Sequence, residues 1–353
     1  MDDKNKSALD LVEEIRQKIS SVKLPDDLNE KVLQIINQLQ AESASPEVFW
    51  RDYQINKKYL DVIIGLPFFS QTKDILDINH AKEKLDSFHY GLGSIKERIL
   101  EYISVLGLQQ SREKDFPLRA PVFLFSGLAG TGKTTMAESI AATLGRKFIR
   151  IPFGGLGDPF YIRGQARFYQ NAHMGAIMKG ITQVKSNNPV ILLDEIDRIA
   201  DSAVNSIMGV LIELLDPEQN HAFVDAYVDH PFDLSKVIFC ATCNNTNRLA
   251  TAVLDRLEPI QMPSYSDEEK IVIGQKYIFP KVLGENSLYP QDIVVSPEVW
   301  PMIVRPLGFD AGVRTLKRNI ESMCRKAAYL IFQRKMEKII INESNLKEFI
   351  SQW

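Results

Sequence analysis

Along the first part of the chain, apolar residues recur every three or four positions, which is the spacing of an amphipathic helix. One stripe comprises Ala8, Val12, Ile15, Ile19 and Val22, and the next comprises Leu28, Val32, Ile35 and Leu39. A third helix is predicted from Ser45-Pro46-Glu47 to about Pro67, because a hydroxyl residue, a proline and an acid form a typical helix start. The first two stripes suit packing within the chain and packing against a neighbouring subunit equally well.

From about His89 onward the pattern changes to short apolar runs separated by helical stretches. The runs cover residues 121–126, 147–151, 190–194 and 237–242. Strands that are apolar along their whole length are typical of a parallel sheet covered by helices on both faces. The sequence therefore predicts an α/β domain over residues 89–264, preceded by an N-terminal helical segment at residues 1–88.

After Pro263 the pattern becomes mostly helical again. Helices are predicted at 266–283, 296–304 and 310–335, with short strands near 293–295 and 338–341. We therefore expect a smaller, mostly helical domain over residues 265–353.

Composition and charge narrow the function classes. The 353 residues carry a net charge of −3, which gives no long-range attraction to nucleic acid or to an anionic membrane. No apolar run is long enough to span a membrane, and the N-terminus lacks the apolar core of a signal peptide. We expect a cytoplasmic protein. Cys240 and Cys243 end an apolar run, so we expect two buried thiols and not a redox or zinc pair.

Residues 127–134 read Gly-Leu-Ala-Gly-Thr-Gly-Lys-Thr and fit the phosphate-binding pattern G-x-x-x-x-G-K-[S/T]. Glycines let the backbone amides of such a loop converge on phosphate oxygens, and the following helix N-terminus adds positive potential. The predicted strand before the loop and the helical stretch after it argue against a chance match. We predict that a nucleoside triphosphate is bound by Gly127, Gly130, Thr131, Gly132, Lys133, Thr134 and Thr135.

The apolar run at 190–194 ends in Asp194, and Glu195 follows it. Ligands of open parallel sheets bind at the carboxyl ends of the strands. We expect Asp194 and the Thr134 hydroxyl to hold Mg²⁺ and Glu195 to act as general base on the attacking water. Lys133 would counter charge that develops on the β- and γ-phosphates. Without the phosphate loop, a solvated strand end would explain the two acids equally well.

Asn244 directly follows the run at 237–242 and is placed to orient the attacking water. Five segments then resemble the Walker A, Walker B, sensor 1, arginine-finger and sensor 2 motifs of AAA+ ATPases: 127–134, 191–197, 241–244, 254–256 and 312–314. Further stretches resemble the Lon family, among them His89-Tyr90-Gly91-Leu92, Leu215-Asp216-Pro217-Glu218-Gln219-Asn220 and Tyr265-Ser266-Asp267-Glu268-Glu269-Lys270. The resemblance runs from about residue 25 to the C-terminus.

The resemblance implies an AAA+ P-loop α/β sandwich with a helical lid, ATP or ADP with Mg²⁺ as cofactors, and a hexameric ring or spiral. Arg256 would reach the nucleotide of a neighbouring subunit, and Arg314 would contact the γ-phosphate from the lid. The adenine would be flanked by His89, Tyr90 and Gly91. The polypeptide substrate would be gripped by a pore loop that includes Tyr169 and Gln170.

The sequence departs from the family pattern in two respects. The pore-loop positions read Tyr169-Gln170-Asn171 where the family has aromatic, aliphatic and glycine residues, and Gly157 and Asn205-Ser206-Ile207 also differ. No G-P-S-A-G-like nucleophile segment is present, so we expect no peptidase activity from this chain alone. These changes leave ATP hydrolysis credible and make polypeptide threading the weaker expectation.

Three functions are compatible with these observations. The first is an ATP-driven remodeller of polypeptides, acting alone or with a separate partner protein or peptidase. The second is a nucleotide-gated scaffold with slow hydrolysis. The third is a nucleic-acid remodeller of the clamp-loader type, which the charge balance and the Lon-like segments disfavour.

Overall fold

A computed structural model describes residues 7–112, 121–305, 310–333 and 338–350 of the chain. Positions 334 and 335 of the last long predicted helix, and the residues beyond 350, lie outside the described residues. Within the described parts, the chain forms an N-terminal helical segment, a central α/β unit and a mostly helical C-terminal unit.

The N-terminal segment comprises helices α1 (Ala8–Ser20), α2 (Asp26–Glu42), α3 (Pro46–Gly65) and α4 (Ile78–Phe88). The first three pack against one another, and their apolar stripes join the core on one face of the central sheet. The stripes therefore pack within the chain. On α2 the third position of the stripe differs from the prediction, since Ile36 is buried there and not Ile35. The predicted Ser45 side-chain cap is wrong, since that hydroxyl caps nothing and the helix start is defined by Pro46.

The central sheet consists of five parallel strands in the order β2-β3-β6-β1-β7. Their bounds are β1 Val122–Ser126, β2 Phe148–Pro152, β3 Val190–Asp194, β6 Ile238–Cys243 and β7 Leu257–Gln261. A small antiparallel hairpin joins β4 (Phe223–Val224) to β5 (Pro231–Phe232). The predicted α/β class and the four predicted strands are confirmed, whereas β7 was not predicted.

Helices cover both faces of this sheet, as the apolar strands predicted. They are α5 Gly93–Ser111, α6 Lys133–Leu144, α7 Phe160–Arg163, α8 Ala176–Val184, α9 Val204–Leu215 and α10 Thr251–Leu254. Successive strand residues enter opposite cores: Leu193 packs on the α1–α3 side, and Leu192 packs on the α5–α6 side. The three inner strands, β1, β3 and β6, are buried along their whole length.

The C-terminal unit contains α11 Asp267–Ile273, α12 Phe279–Glu285, α13 Trp300–Val304, α14 Arg314–Phe332 and α15 Leu346–Phe349, with a π-helical turn at Gly274–Ile278. Strands β8 (Ile293–Val295) and β9 (Ile339–Ile341) pair in parallel. A capping box at Ser266 and Glu269 starts α11. This unit has its own core, and the predicted mostly helical texture is confirmed.

The cysteines are buried and form no disulfide. Burial raises the pKa of Cys240 to about 12 and that of Cys243 to about 11, so both stay protonated and unreactive. In the part of the chain that the structure describes, no helix combines the length and the apolar character that a membrane span requires.

Candidate functional site

The phosphate loop connects β1 to α6 at the carboxyl end of the sheet. Gly130 and Gly132 have φ values of 80° and 93°, which L side chains rarely adopt. At Gly127 a side chain would lie 2.7 Å from the Met262 carbonyl oxygen, so only glycine fits beside the end of β7. Because α6 begins at Lys133, its first backbone amides face the space that the loop encloses.

Lys133 already has partners within the chain. Its Nζ donates to the carbonyl oxygens of Gly127 (2.7 Å) and Leu128 (2.8 Å) and to Oδ1 of Asn244 (2.9 Å). Burial lowers the pKa of Lys133 from its usual value. The predicted sensor residue Asn244 therefore accepts a hydrogen bond from the predicted phosphate-binding lysine.

Asp194 is 4% exposed, and both of its carboxylate oxygens accept hydrogen bonds. The Thr242 hydroxyl donates to Oδ1 at 2.5 Å, and the Arg150 guanidinium donates to Oδ2 at 2.5 and 2.8 Å. Arg150 lies on β2, beside the strand that ends in Asp194. Sequence reasoning missed both partners, because only the strand pairing brings them to the carboxylate.

Glu195 lies next to this carboxylate with a φ of 60°, a strained backbone conformation for a non-glycine residue. Its N–H donates to the Thr242 hydroxyl at 2.8 Å, and its carboxylate pairs with Arg198 at 3.2 Å. Asp197 accepts the backbone N–H groups of Asn244 and the next residue at 3.0 Å each, which fixes the predicted sensor.

The residues present fit a magnesium–nucleotide complex. Mg²⁺ is usually held by one or two carboxylates together with phosphate oxygens and water, so a cluster of protein ligands is not required. Among the described residues, no group of three His, Cys, Asp or Glu side chains could hold a metal. The donors that would suit this ion are Asp194, whose negative charge acts on the loop lysine, and Thr134, half-buried in the first turn of α6.

His89 lies against the other side of the loop. It is 5% exposed, its Nε2 has no hydrogen-bond partner in the described structure, and burial lowers its pKa to about 4. Its Cε1 is 3.5 Å from the point where a Gly132 side chain would begin. An unpartnered buried nitrogen at this position fits a bound base. Tyr90 is 37% exposed, and Gly91 has a φ of 65°.

The C-terminal unit touches the loop through residues 312–314. Val313 N–H donates to the Gly130 carbonyl oxygen at 3.1 Å, and a side chain at Gly312 would lie 2.4 Å from the Gly130 carbonyl carbon. Arg314 starts α14, and its Cβ is 3.3 Å from the point where a Gly130 side chain would begin. The Tyr265 hydroxyl, which sequence reasoning missed, donates to the Thr131 carbonyl oxygen at 3.2 Å.

Arg256 is not among the residues gathered at the loop. Its guanidinium donates to Asp216 Oδ2 at 3.0 Å and to the Ala252 carbonyl oxygen at 2.7 Å. The pKa of Asp216 is lowered by the Glu218 backbone N–H and by this guanidinium. Contact with a nucleotide, on this chain or on a neighbour, would require these bonds to be exchanged.

Tyr169 and Gln170 lie in a loop closed by the Gln165 N–H, which donates to the His173 carbonyl oxygen at 2.8 Å. Tyr169 is 59% exposed, and the preceding Phe168 is 87% exposed. Two adjacent aromatic side chains with this exposure form an apolar surface patch, which often marks an interaction site. Sequence reasoning selected Tyr169 and missed Phe168.

Two family matches agree with this geometry. Residues 123–265 match the family described as "ATPase family associated with various cellular activities (AAA)", and residues 284–340 match the "Lon protease AAA+ ATPase lid domain". The chain is 39% identical over 342 residues to a Lon protease of Clostridioides difficile and 38% identical over 348 residues to Lon protease 2 of Thermus thermophilus. Each alignment covers 96% of this chain, and the chain spans about 42% of the length of these relatives.

Proposed function

We propose that this chain, which is a Lon-like AAA+ ATPase module, uses ATP hydrolysis to move or unfold polypeptides. The observation that carries the proposal is the contact between the C-terminal unit and the phosphate loop, where Gly312 and Val313 lie directly on Gly130. A nucleotide held by that loop would change the position of the helical unit, which is how a motor converts chemistry into movement.

In the proposed reaction Lys133 exchanges its contacts with loop carbonyls for phosphate oxygens. Asp194 and Thr134 would hold Mg²⁺, which would supply positive charge against the β- and γ-phosphates. Glu195 accepts a proton from the attacking water, and Asn244 orients that water. His89, Tyr90 and Gly91 contact the base, and Arg314 contacts the γ-phosphate from the lid.

Arg256 of one subunit would complete the site of its neighbour in a homo-oligomer, which we propose to be a hexameric ring or spiral. Its present partner, Asp216, directly follows the last residue of α9. An arginine that enters from the neighbour makes turnover depend on assembly. Particle mass measured with ATP and with ADP, alongside turnover across dilution, tests this dependence.

The polypeptide part of the proposal is supported by the exposed pair Phe168 and Tyr169 and by the Lon proteases that the chain resembles. The test compares ATP turnover with and without a denatured protein. We expect the denatured protein to stimulate the wild type and Tyr169→Ala to lose that stimulation while basal turnover stays the same. Tyr289→Ala is the matched control, because Tyr289 is 67% exposed in the C-terminal unit. Equal stimulation of both variants would contradict polypeptide handling by this loop.

The nucleotide-gated scaffold remains the second candidate, because Gln170 and Asn171 replace the aliphatic and glycine residues of a typical pore loop. A scaffold predicts that Glu195→Gln keeps every partner interaction and that denatured protein leaves turnover unchanged. We also expect the chain alone not to cleave a denatured protein, which gel analysis of the same reactions would check.

A further inference from the structure

A groove of about 710 Å³ lies between helices α2 and α3 and the loop that carries Phe168 and Tyr169. Its apolar surface includes Ile55, which is 55% exposed, and the two loop aromatics. The volume falls within the roughly 300–1,000 Å³ that is typical of ligand-binding pockets. One wall thus belongs to the N-terminal segment and the other to the predicted substrate loop, so the groove joins two parts of the chain that are distant in sequence.

The charged residues that line this groove are all cations. Three cations line it, namely Lys31, Lys58 and Arg167, and five of the other lining residues carry side-chain amides. No carboxylate is among the lining residues that the structure describes. Lys31 is partly neutralised by Asp229, to which its Nζ donates at 2.6 Å. The other two cations keep the groove electropositive.

Arg167 and Lys58 are held in place by aromatic rings of the protein interior. The Arg167 guanidinium carbon lies 3.8 Å from the centroid of the buried Tyr59 ring, and Lys58 Nζ lies 5.8 Å from that of Tyr227. Lys58 also donates to the Ala172 carbonyl oxygen, at 3.4 Å. A cation that is already ordered loses less conformational entropy when an anion arrives. Stacking leaves the guanidinium N–H groups of Arg167 available to a carboxylate.

We propose that this groove binds an extended polypeptide segment in which acidic residues alternate with apolar or aromatic ones. The carboxylates would pair with Arg167 and Lys58, the apolar side chains would pack on Ile55, Phe168 and Tyr169, and the amides would bond the segment's backbone. This inference rests on the proposed function, since it states which polypeptides the chain selects. Single-stranded nucleic acid fits less well, because two available cations are few for a phosphate backbone and the chain as a whole is acidic.

The experiment measures fluorescence anisotropy of short labelled peptides of equal length, in which phenylalanine alternates with Asp, Ser or Lys. ADP is present so that turnover does not displace the peptide. We expect the Asp peptide to bind about fivefold or more tightly than the Lys peptide, from the size of one exposed ion pair. Lys58→Glu should weaken the Asp peptide and strengthen the Lys peptide. Lys347→Glu, an exposed lysine of α15 with the same charge change, should alter neither.

Arg167→Gln serves as a second variant, because it removes the charge without introducing repulsion, and thermal melting verifies that each variant folds. Equal affinity for the Asp and Lys peptides, or equal effects of Lys58→Glu and Lys347→Glu, would overturn the inference. Tighter binding of a labelled oligothymidylate that weakens steeply with salt would overturn it in favour of nucleic acid.

Parallel ATPase assays with a denatured protein separate the two proposals. If that protein stimulates turnover while the peptides show no charge preference, the groove inference fails and the proposed function stands. If the Asp peptide binds with the expected preference but no polypeptide stimulates turnover, the groove binds peptide and the motor proposal fails.

Discussion

Substituting alanine for Gly312 should separate the C-terminal unit from the phosphate loop. A Cβ at this position would lie 2.4 and 2.5 Å from the carbonyl carbon and oxygen of Gly130 and 2.6 Å from the Ala129 carbonyl oxygen. All three neighbours are backbone atoms of a loop whose conformation is fixed by its glycines, so no side chain can move aside. The C-terminal unit must therefore either move away from the loop or remain overpacked against it.

Two alternatives bound the free-energy cost of this substitution. Moving apart breaks the Val313 N–H bond to Gly130, worth about 1 kcal/mol, whereas staying together would cost about 1–3 kcal/mol of overpacking. A penalty of about 1–3 kcal/mol corresponds to about 5- to 150-fold in an equilibrium constant. Because Arg314 follows two residues later, we expect ATP affinity to fall within that range and turnover to fall at least as much.

The control is Gly284→Ala, in helix α12 of the same unit, where an added Cβ would meet nothing within 4 Å. There alanine should be neutral or stabilise by up to about 1 kcal/mol. Titration with a fluorescent ATP analogue, turnover and thermal melting should be measured for both variants. If Gly312→Ala matches Gly284→Ala in affinity and turnover, the lid–loop contact does not transmit the nucleotide state.

Three further predictions concern single side chains. Arg150→Ala should lower the Mg²⁺ concentration needed for half-maximal nucleotide binding, because Asp194 loses the guanidinium that competes with the ion. Calorimetric titration of Mg²⁺ into the ADP complex measures this concentration, and an unchanged midpoint would argue that Arg150 and Mg²⁺ do not compete for Asp194. Arg256→Ala should abolish turnover but keep ATP affinity; full turnover in dilute, monomeric protein would remove the need for a neighbour. For His89 the folded pKa of about 4 lies below the ordinary 6.5, so the stability it contributes is fully present above about pH 6.5 and is lost as the pH falls toward 4, by up to about 3 kcal/mol. Urea unfolding at several pH values should show a shallower acid loss in His89→Asn, and parallel curves for the two proteins would contradict this.

The sequence predicted four strands of the central sheet within about a residue, because buried parallel strands are continuous apolar runs. The fifth, β7, contains Glu258 and Pro259 and occupies the sheet edge, where both residue types are tolerated and the apolar signal is lost. The predicted helix at 266–283 is interrupted by a π-helical turn at Gly274–Ile278, which the apolar spacing did not indicate. There the Trp300 ring packs 2.9 Å from the point where a Gly274 side chain would begin.

In the candidate site, residues that belong to a recognisable sequence motif could be predicted. Residues that reach the site only through strand pairing or tertiary packing could not. Lys133, Asp194 and Asn244 each follow a recognisable strand or loop pattern, and the structure brings them together. Arg150 has no such pattern: it is one exposed arginine in a strand, and its contact with Asp194 exists only because β2 lies beside β3. Tyr265 likewise reaches the loop through tertiary packing.

Three of the charged side chains proposed to act at the nucleotide already have partners in this structure. Lys133 is bonded to its own loop and to Asn244, Asp194 to Arg150, and Arg256 to Asp216. Buried or half-buried charges left without partners would each cost several kcal/mol, so the chain satisfies them internally. A ligand therefore gains only the difference between its bonds and those it replaces. Nucleotide affinity therefore depends on the strength of the existing bonds within the chain as well as on the new bonds to the nucleotide. Residues such as Arg150 can change this affinity without contacting the nucleotide.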